Sequence, residues 1–296
     1  MTLSNIISQT SKYIDFSADT PVDQVSPMPG LILLKSSRTT ELAASIYHPV
    51  ICLILQGAKE TTVGERTLSF AAGESLIVSH TVPVISRITR ASDKEPYLAM
   101  ILEIDLGILR ALYHEIEEIP ADKESSTALN VDTAGEDLLN AMSRYLALAD
   151  RGVEKKVMAP LLLKEIHFRL LMAPHGKMLR RLLEHDSYAS QISRAIAHLR
   201  DHFRQPLSMP MLAKNTGMSE SSFYANFKKV TETTPLQYQK EMRLIEAQRL
   251  LRNGHSSVSS VAFEVGYESP TQFSREYSRK FGVPPSEEMA SVRVSV

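Results

Sequence analysis

Short apolar runs separated by turn residues fill the first third of the chain. Between about residues 29 and 105 these runs are four to seven residues long, and Gly57, Gly64, Gly73 and Pro83 separate them. The runs are rich in Ile, Val and Thr, a pattern that predicts β-strands, and their close spacing favours a small barrel or sandwich. The predicted strands are Leu31–Leu34, Val50–Leu55, Glu60–Val63, Arg66–Phe70, Ser75–Val78 and Leu98–Ile104.

After Leu106 the apolar residues recur with the period of an α-helix. Helices are predicted at Ile108–Glu118, Gly135–Ala149 and Lys155–Met172, the last with Pro160 inside its first turns. Amphipathic helices between a barrel and a further domain indicate a packing or dimerisation surface. The alternative is that these helices only cover the barrel.

A helix-turn-helix pattern follows in the last third of the chain. An amphipathic helix at Ser187–Phe203 comes first, and Met209–Asn215 then predicts a short helix. Gly217 permits the positive φ of a tight turn, and Ser219 is an N-cap residue for a second helix at Ser221–Lys229. One such unit alone does not distinguish a DNA-binding domain from other helical proteins.

The same unit occurs a second time. Val258–Val265 predicts the short helix, Gly266 the turn, Ser269 the N-cap and Pro270–Phe281 the second helix. The inward alanines of the two copies lie 49 residues apart, as do the turn glycines, and the first inward phenylalanines lie 50 apart. A predicted helix at Pro235–Leu251 joins the copies, and at about 1.5 Å per residue it spans about 26 Å. With the bodies of the two units, that length is enough to place two recognition helices one DNA turn, about 34 Å, apart.

Several short motifs run through the duplicated unit and its joining helix. They are Leu212-Ala213, Gly217-Met218-Ser219, Phe223, Phe227-Lys228, Pro235-Leu236-Gln237-Tyr238, Arg243-Leu244, Ala247, Leu250-Leu251, Val261-Ala262-Phe263, Val265-Gly266-Tyr267, Ser269, Phe273, Phe281-Gly282 and Pro284-Pro285. In these motifs, which cover about residues 190–290, the sequence resembles the AraC/XylS family of transcription regulators. The resemblance implies the duplicated fold, binding of double-stranded DNA, and activation of transcription through contact with RNA polymerase.

Four segments of the first half are similar to an N-terminal domain found in some members of that family. They are Tyr47-His48-Pro49, Leu55-Gln56-Gly57-Ala58-Lys59, Ala72-Gly73-Glu74 and Glu95-Pro96-Tyr97-Leu98. This similarity implies a cupin-like barrel without implying a known ligand. We therefore predict an α+β protein of two domains, an N-terminal cupin-like β-barrel with flanking helices and a C-terminal all-α double helix-turn-helix. The predicted boundaries are 1–125 for a sensor or regulatory barrel, 126–186 for a helical linker or dimerisation region, and 187–296 for the DNA-binding domain.

The polar face of the second helix in each copy is the predicted DNA-contacting surface. In the first copy the face opposite Phe223 and Phe227 holds four residues, followed by two lysines placed for phosphates. These six residues are Ser221, Ser222, Tyr224, Ala225, Lys228 and Lys229. In the second copy four outward residues are followed by two cations directed toward the DNA backbone. These six are Pro270, Thr271, Ser274, Arg275, Arg279 and Lys280. The alternative is a solvated polar face that contacts nothing.

By the resemblance, the base-contacting positions of the family fall on a subset of these residues. The subset is Ser221, Tyr224, Ala225, Thr271, Ser274 and Arg275. Arg275 is the strongest candidate because a guanidinium can bridge guanine O6 and N7, which discriminates against other bases by about 1–3 kcal/mol. Ala225 departs from the longer polar residues expected there and offers only a methyl contact to thymine. The first recognition helix is therefore expected to specify less sequence than the second.

The charge distribution agrees with a DNA-binding C-terminal domain. The net charge of −1 does not by itself suggest a nucleic-acid partner. Residues 187–296 contain 14 Lys and Arg against 10 Asp and Glu, however, whereas the rest of the chain contains 19 against 24. An acidic first part and a basic last part are typical of a protein in which one domain contacts phosphates.

The sequence also indicates the cellular compartment of the protein. No apolar run approaches the ~18 residues of a membrane span, and the first twenty residues carry no signal-peptide pattern. Cys52 is the single cysteine and cannot form an intrachain disulfide, which suits a reducing cytoplasm. We expect a cytoplasmic protein without a membrane partner.

Residue patterns typical of an enzyme are not found in the sequence. His48 and His80 stand alone, although a metal-binding cupin needs clustered His and Glu, and no other histidine pair suggests a zinc site. Neither a phosphate-binding loop nor a nucleophile elbow occurs, so we predict no metal, no cofactor and no enzymatic activity. Cys52 lies in an apolar strand, which predicts a buried, inert thiol. The alternative is a thiol in a ligand pocket that reacts with an aldehyde.

Three hypotheses for the function follow. The favoured one is a homodimeric, sequence-specific transcription regulator, an activator, whose barrel binds a small-molecule effector and biases DNA binding. In the second hypothesis the barrel is an enzyme, and in the third it binds no ligand and serves only for dimerisation or a protein partner. The sequence does not specify the ligand-binding residues, because the inward strand positions Ile51, Leu53, Leu55 and Val78 are equally well explained as core.

Overall fold

The computed structural model describes residues 3–14, 22–116, 127–185, 187–253 and 257–293, with side chains as far as residue 290. Within the chain, Met1–Ser193 and Lys229–Glu232 form one unit, and Arg194–Lys228 and Thr233–Val296 form a second. The domain boundaries proposed from the sequence stay predictions, and the one at residue 125 lies outside the described residues.

Two antiparallel sheets form the β-part of the first unit within the described residues. The strands are β1 (Asp23–Met28), β2 (Leu31–Ser36), β3 (Ala43–Tyr47), β4 (Val50–Gln56), β5 (Ala58–Val63), β6 (Arg66–Ala71), β7 (Glu74–Val78), β8 (Val82–Arg90), β9 (Tyr97–Glu103) and β10 (Leu129–Thr133). The larger sheet has the order β1-β2-β9-β4-β7-β10 and the smaller one β3-β8-β5-β6. All six predicted strands are present, and the cupin-like fold is confirmed as a sandwich of two sheets.

Four strands, β1, β3, β8 and β10, were not predicted. The turn predicted at Pro83 is wrong, because Pro83 lies inside β8 and is paired with Ile46 of β3. The pairing of β5 with β8 begins only at Ile85, so Pro83 lies beyond the end of β5. The missing N–H of the proline therefore breaks no hydrogen bond between these two strands, and a proline is tolerated there.

Both faces of β4, inside the larger sheet, are buried. Ile51, Leu53 and Leu55 of β4 belong to a core that also contains residues of the helices. The alternate residues Cys52 and Ile54 are buried as well, at 4% and 0% exposure, and they point to the opposite face because successive strand residues alternate. Of the four residues expected to point into the barrel, Ile51, Leu53 and Leu55 therefore pack against helices, and Val78 is also fully buried. This supports their interpretation as core.

The described part of the first unit contains the three predicted flanking helices and two helices that were not predicted. They are α1 (Leu3–Thr10), α2 (Leu106–Glu115), α3 (Glu136–Ala147), α4 (Gly152–Met172) and α5 (Lys177–Leu183). Of these, α2, α3 and α4 were predicted, whereas α1 and α5 were not. The end predicted for α2 at Glu118 lies outside the described residues. Asp105 caps α2 by accepting hydrogen bonds from the N–H groups of Gly107 and Ile108, and α4 continues through Pro160.

The second unit is helical in its described part, and α6 and α8 contribute residues to both units. Its helices are α6 (Tyr188–His202), α7 (Met209–Thr216), α8 (Glu220–Thr231), α9 (Pro235–Arg252), α10 (Val258–Glu264), α11 (Pro270–Phe281) and α12 (Pro285–Arg293). All but α12 were predicted, to within a few residues at each end. The double helix-turn-helix is thus formed by α7 with α8 and by α10 with α11, and α9 joins the two pairs.

Both turns of the duplicated unit have the same hydrogen-bond pattern. Gly217 and Gly266 adopt left-handed backbone angles, with φ of +74° and +92°. The residue after each glycine donates its N–H to the carbonyl of the alanine four positions before the glycine, at 3.0 Å for Ala213 and 2.9 Å for Ala262. The surroundings differ, however. A Cβ on Gly266 would lie 2.1 Å from the carbonyl oxygen of Arg204, whereas a Cβ on Gly217 would meet nothing within 4 Å.

A buried histidine joins the loop after β7 to the start of α6. His80 is 2% exposed, its Nδ1 lies 2.8 Å from Ser79 Oγ, and its Nε2 lies 3.0 Å from the carbonyl oxygen of Ala189. Because a carbonyl can only accept, Nε2 carries the proton and Nδ1 accepts from the Ser79 hydroxyl. Burial lowers the pKa of His80 to about 4, so the ring is neutral in the folded protein at neutral pH.

The two turn glycines provide a matched pair of substitutions. Gly217→Ala should lower the free energy of unfolding by about 1–2 kcal/mol, the cost of a left-handed residue with a Cβ. Gly266→Ala should cost a further ~1–3 kcal/mol because the backbone at Arg204 must move. Urea titration followed by far-UV circular dichroism would measure both. Equal losses for the two variants would contradict the close approach at Gly266.

The buried imidazole predicts a loss of stability in acid. Between pH 6.5 and about 4 the unfolded chain protonates at this position and the folded chain does not, so the free energy of unfolding falls as pH decreases, by up to roughly 3 kcal/mol. His80→Gln should remove this contribution, and the difference between wild type and variant isolates it from the other buried histidines. If the free energy of unfolding of His80→Gln fell below pH 6.5 as steeply as that of the wild type, another group would be responsible for the pH dependence.

Candidate nucleic-acid interface

Paired aromatic rings fill the inside of each helix-turn-helix copy. Phe223 and Phe227 of α8 are fully buried, and their ring centroids are 5.6 Å apart at an interplanar angle of 54°. Phe273 and Tyr277 of α11 are equally buried, with the same separation and angle. In both copies the second helix therefore packs on its core through ring pairs of the same geometry. The opposite face of that helix points away from the core.

Serine caps fix where each of these helices begins. The Ser219 hydroxyl accepts a hydrogen bond from the N–H of Ser222 at 3.3 Å, and Ser269 does the same for Gln272 at 3.3 Å. In α11 the first helical position is Pro270, which has no N–H to satisfy. The helix starts expected from the sequence are therefore observed, and they set which residues lie in the first outward turn.

The residues proposed for α8 lie on its outer surface. Exposed are Ser221, Ser222, Ala225, Lys228 and Lys229, and half-buried is Tyr224. Asn226 donates to the hydroxyl of Ser222 at 3.2 Å. Within the first unit, Lys229 Nζ lies 4.7 Å from the ring centroid of Tyr188, so that lysine is already engaged in a cation–π contact.

The residues proposed for α11 differ among themselves. Exposed are Thr271, Arg275 and Arg279, and half-buried are Pro270, Ser274 and Lys280. Ser274 donates its hydroxyl to the carbonyl of Pro270 at 2.9 Å. The Lys280 side chain is only 11% exposed and its ammonium lies 3.4 Å from Glu241. This ion pair directs the Lys280 charge to α9, whereas the sequence predicted that it faces the DNA backbone.

The outer face of α11 retains two exposed guanidinium groups. Arg275 and Arg279 lie four residues apart, on one side of the helix. Among the described residues, neither forms an ion pair with a carboxylate. Cations that are not neutralised by the protein are the ones that can contact phosphates and guanine edges.

Arg243 of the joining helix is a positioning residue that the sequence did not reveal. Its guanidinium donates to three backbone carbonyls, those of Phe203 at 2.7 Å, Gly266 at 2.8 Å and Gln205 at 3.0 Å. Gln239, one turn earlier, donates to the carbonyls of Phe203 and Gln205 at 2.8 and 2.6 Å. Burial lowers the pKa of Arg243. In the sequence Arg243 stood out only as part of the family motif Arg243-Leu244, which does not identify its backbone partners.

A second polar contact holds α12 to α9 and α11. Glu288 of α12 accepts from Arg252 at 2.6 Å, from Tyr277 at 3.1 Å and from Gln248 at 3.4 Å. Burial raises the pKa of Glu288, but these hydrogen bonds outweigh burial and hold it below its ordinary value. The carboxylate is therefore ionised and accepts three hydrogen bonds, which hold α12 against α9 and α11.

The described residues contain neither a membrane-spanning helix nor a metal-binding cluster. No helix there is long and apolar enough to cross a membrane. Within the same residues, no group of three or more His, Cys, Asp and Glu side chains is arranged to hold a metal ion.

Comparison with known families covers both units. A family model described as AraC-type transcriptional regulator N-terminus matches residues 27–178, which is more than half of the chain. A model described as helix-turn-helix domain matches residues 212–290. The family recognised from the motifs is thus confirmed.

Individual relatives support the same assignment. The virulence regulon transcriptional activator VirF of Yersinia enterocolitica is 23% identical over 266 residues, covering 88% of this chain and 96% of VirF. The HTH-type transcriptional activator RhaS of Escherichia fergusonii is 33% identical over 125 residues, covering 42% of this chain and 44% of RhaS.

A solved structure shares the fold over nearly the whole chain. Unsaturated fatty acid-bound ToxT from Vibrio cholerae aligns with a TM-score of 0.56 at 12% identity, covering 93% of this chain and 97% of ToxT. With the two family matches, this confirms the two-domain fold predicted from the sequence. The chain belongs to the AraC family of DNA-binding transcriptional regulators, with an AraC-type N-terminal domain and a helix-turn-helix C-terminal domain, and it is not an enzyme.

Proposed function

We propose that this protein activates transcription in the cytoplasm from promoters that it binds through α8 and α11. Each recognition helix enters a major groove, and α9, 18 residues or about 27 Å long, sets their separation near one DNA turn. Arg275 contacts a guanine, Ser221, Tyr224 and Thr271 contribute further base contacts, and the remaining outward cations contact phosphates.

The observation that carries this proposal is the pair of units with matching aromatic packing and polar outer faces. The inner faces use equivalent ring pairs, whereas the outer faces of the two second helices carry different residues. Exposed Arg275 and Arg279 give α11 the charge and the hydrogen-bond donors that base and phosphate contacts require.

Activation is proposed because VirF and RhaS are both named as transcriptional activators. An activator must contact the transcription machinery, and RNA polymerase is the partner that the family resemblance suggests. A small-molecule effector is proposed because the solved ToxT structure contains a bound unsaturated fatty acid. An effector of this chain would bind the DNA-free and the DNA-bound protein with different free energies. That difference, typically about 1–3 kcal/mol, is the amount by which it changes the free energy of DNA binding.

Dimerisation is proposed from an apolar stripe on α4. Val153, Val157 and Leu161 follow one another at intervals of four residues and are 83%, 63% and 57% exposed, so they form a row along one helix face. Apolar rows of this kind on an exposed surface mark protein contacts. A second copy of the chain is the proposed occupant, because a two-fold contact between two α4 helices would cover the same row on both.

Arg275→Ala tests base recognition. It should weaken binding to a specific site by about 1–3 kcal/mol and change the salt dependence only modestly, because a guanine contact is lost. Mobility shifts across a salt series would measure this, with DNA selected from a random library by the wild-type protein and with competitor DNA.

Arg279→Ala is the matched control, one turn along the same face. It should weaken binding to specific and competitor DNA about equally and reduce the salt slope by roughly one, as expected for a phosphate contact. A uniform, salt-linked loss for Arg275→Ala as well would place Arg275 on a phosphate. If the wild-type protein enriched no sequence at all, the proposed sequence-specific binding would be refuted.

Leu161→Lys tests the dimer. A charge placed in a two-fold apolar contact occurs twice, so the dimer dissociation constant should rise about tenfold or more. Leu42→Lys is the control, because Leu42 is a leucine of similar exposure, 59%, that lies outside α4. Sedimentation equilibrium would measure both. A wild-type monomer, or a Leu161→Lys dimer as tight as wild type, would exclude α4 as the dimer contact.

A further inference from the structure

A cleft lies beside β10, at one end of the strand order of the larger sheet. Its volume is about 320 Å³, at the lower end of the range for small-molecule sites, about 300–1,000 Å³. Its walls come from the end of β10, the first turn of α3, the last turn of α4 and a short 3-10 turn at Pro174–Gly176. All four elements belong to the first unit, and the proposed recognition of DNA uses none of them.

A buried histidine with one unpartnered nitrogen lines this cleft. His175 is 7% exposed, and its Nε2 lies 2.8 Å from the hydroxyl oxygen of Ser75 on β7. Among the described residues that hydroxyl makes no other hydrogen bond, so its proton is satisfied only by donation to Nε2, which leaves the ring proton on Nδ1. Within the same residues the buried Nδ1 has no hydrogen-bond partner, although buried polar groups are nearly always satisfied.

The contact with Ser75 also fixes the direction of the ring. Because the two imidazole nitrogens point to opposite sides and Nε2 faces Ser75, Nδ1 faces away from β7. Burial lowers the pKa of His175, and the nearby charge of Asp132 opposes this effect only in part, so the ring is neutral at neutral pH. Ser75 is fully buried, and its hydroxyl therefore positions the imidazole and is not available as a nucleophile.

Arg169 of α4 contributes a second unpartnered donor. Its Nη1 lies 2.9 Å from Asp137 of α3, and its Nη2 lies 3.9 Å from Glu165. Its Nε, in contrast, is buried and has no hydrogen-bond partner among the described residues. Arg169 and His175 thus bring two buried N–H donors to the wall of one cleft. A ligand oxygen that accepted from them would remove the cost of leaving both donors unsatisfied.

The start of α3 adds backbone donors to the same wall. The first N–H groups of an α-helix have no partner within the helix, and Gly135 at the N-cap has no side chain that could accept from them. Gly135, Asp137 and Leu138 line the cleft, and a helix N-terminus favours a bound negative charge. The charge of Asp137 is neutralised by Arg169, whereas Glu136 is exposed and does not line the cleft.

The cleft also contains a carboxylate without a cation. Asp132 of β10 is paired with Ser75 across the strands, so the two side chains lie on the same face of the sheet. Asp132 accepts from the N–H of Thr133 at 2.7 Å, and within the described part of the chain it forms no ion pair. A simple anion would be repelled by this carboxylate, whereas a ligand that carries an ammonium beside its own carboxylate would be attracted at both ends.

We propose that this cleft binds a free α-amino acid with an apolar side chain. The carboxylate of the ligand accepts from Arg169 Nε, His175 Nδ1 and the first N–H groups of α3, and its ammonium pairs with Asp132. The apolar side chain lies against Leu138 and Met172, which line the cleft. Met172 is 42% exposed, and the flexible thioether of a methionine adapts to side chains of different shape. The inference does not depend on the proposed function, because no residue of α8 or α11 lines the cleft.

Isothermal titration of the full chain with L-leucine and with L-methionine tests the assignment. The wild type should bind at least one of them, and glycine should bind more weakly because it lacks the apolar side chain. The decarboxylated and the deaminated analogue of the tighter binder, which are isoamylamine and isocaproate for leucine, separate the two charged groups. Each analogue should bind about tenfold or more weakly than the amino acid because a charge-assisted contact is lost.

Two substitutions test the two ends of the ligand separately. Asp132→Asn keeps the shape of the side chain and removes the charge that pairs with the ammonium, and it should weaken binding of the amino acid about tenfold. It should not weaken binding of the deaminated analogue, which has no ammonium. His175→Gln keeps a partner for Ser75 and removes Nδ1, so it should weaken binding of the amino acid and leave the affinity for the decarboxylated analogue unchanged.

Glu136→Gln is the matched control, because it removes a carboxylate from the first turn of α3 that lies outside the cleft. It should change the affinity for the amino acid less than about twofold. Thermal unfolding would verify that each variant folds. Wild-type affinity in folded Asp132→Asn, or an equal loss in Glu136→Gln, would overturn the proposal. Binding of neither amino acid, or an analogue bound as tightly as the amino acid, would overturn it as well.

Discussion

The second unit depends on one guanidinium that joins two loops. Arg243 donates to carbonyls of the loop that follows α6 and to the carbonyl of the turn glycine of the second helix-turn-helix. A guanidinium is planar and always charged, so its donors satisfy these carbonyls in one fixed arrangement that a lysine cannot reproduce. The close packing of Gly266 against the backbone of Arg204 is part of the same contact. The joining helix is therefore more than a spacer. Through Arg243 it connects the loop before the first helix-turn-helix to the turn of the second one.

The two copies share the geometry of their inner ring pairs and differ on their outer surfaces. Rings at equivalent positions have equal separations and angles, whereas α8 presents Ser221, Ser222 and Ala225 outward and α11 presents Arg275 and Arg279. Short side chains reach few base edges, while a guanidinium reaches two acceptors of one guanine. If both helices enter the DNA as proposed, most sequence discrimination resides in α11 and α8 contributes position and affinity. The same ring geometry therefore orients two helices whose outer residues differ.

Local chemistry explains which features could be predicted from the sequence. The turns at Gly217 and Gly266 and the serine caps depend on residues within one or two helical turns, and they were predicted almost to the residue. The side of β4 that faces the helices could not be predicted, because both faces are buried and the strand is apolar throughout. The partners of Arg243 are backbone carbonyls, and Glu241, which holds Lys280, lies on another helix. Neither contact leaves a pattern in the sequence.

The interior of the sandwich is where polar chemistry departs from what stability alone requires. The larger sheet meets its helices through an apolar core, whereas buried hydroxyl groups occur at Thr61 of β5 in the smaller sheet and at Tyr97 of β9 in the larger one. Apolar residues at these positions would satisfy the fold at lower cost. Thermodynamic linkage requires that effector binding and DNA binding change each other's affinity by the same factor. An effector that strengthens DNA binding about tenfold must itself be held about tenfold more tightly by the DNA-bound protein. Effector affinity measured with and without DNA therefore reports the coupling free energy directly.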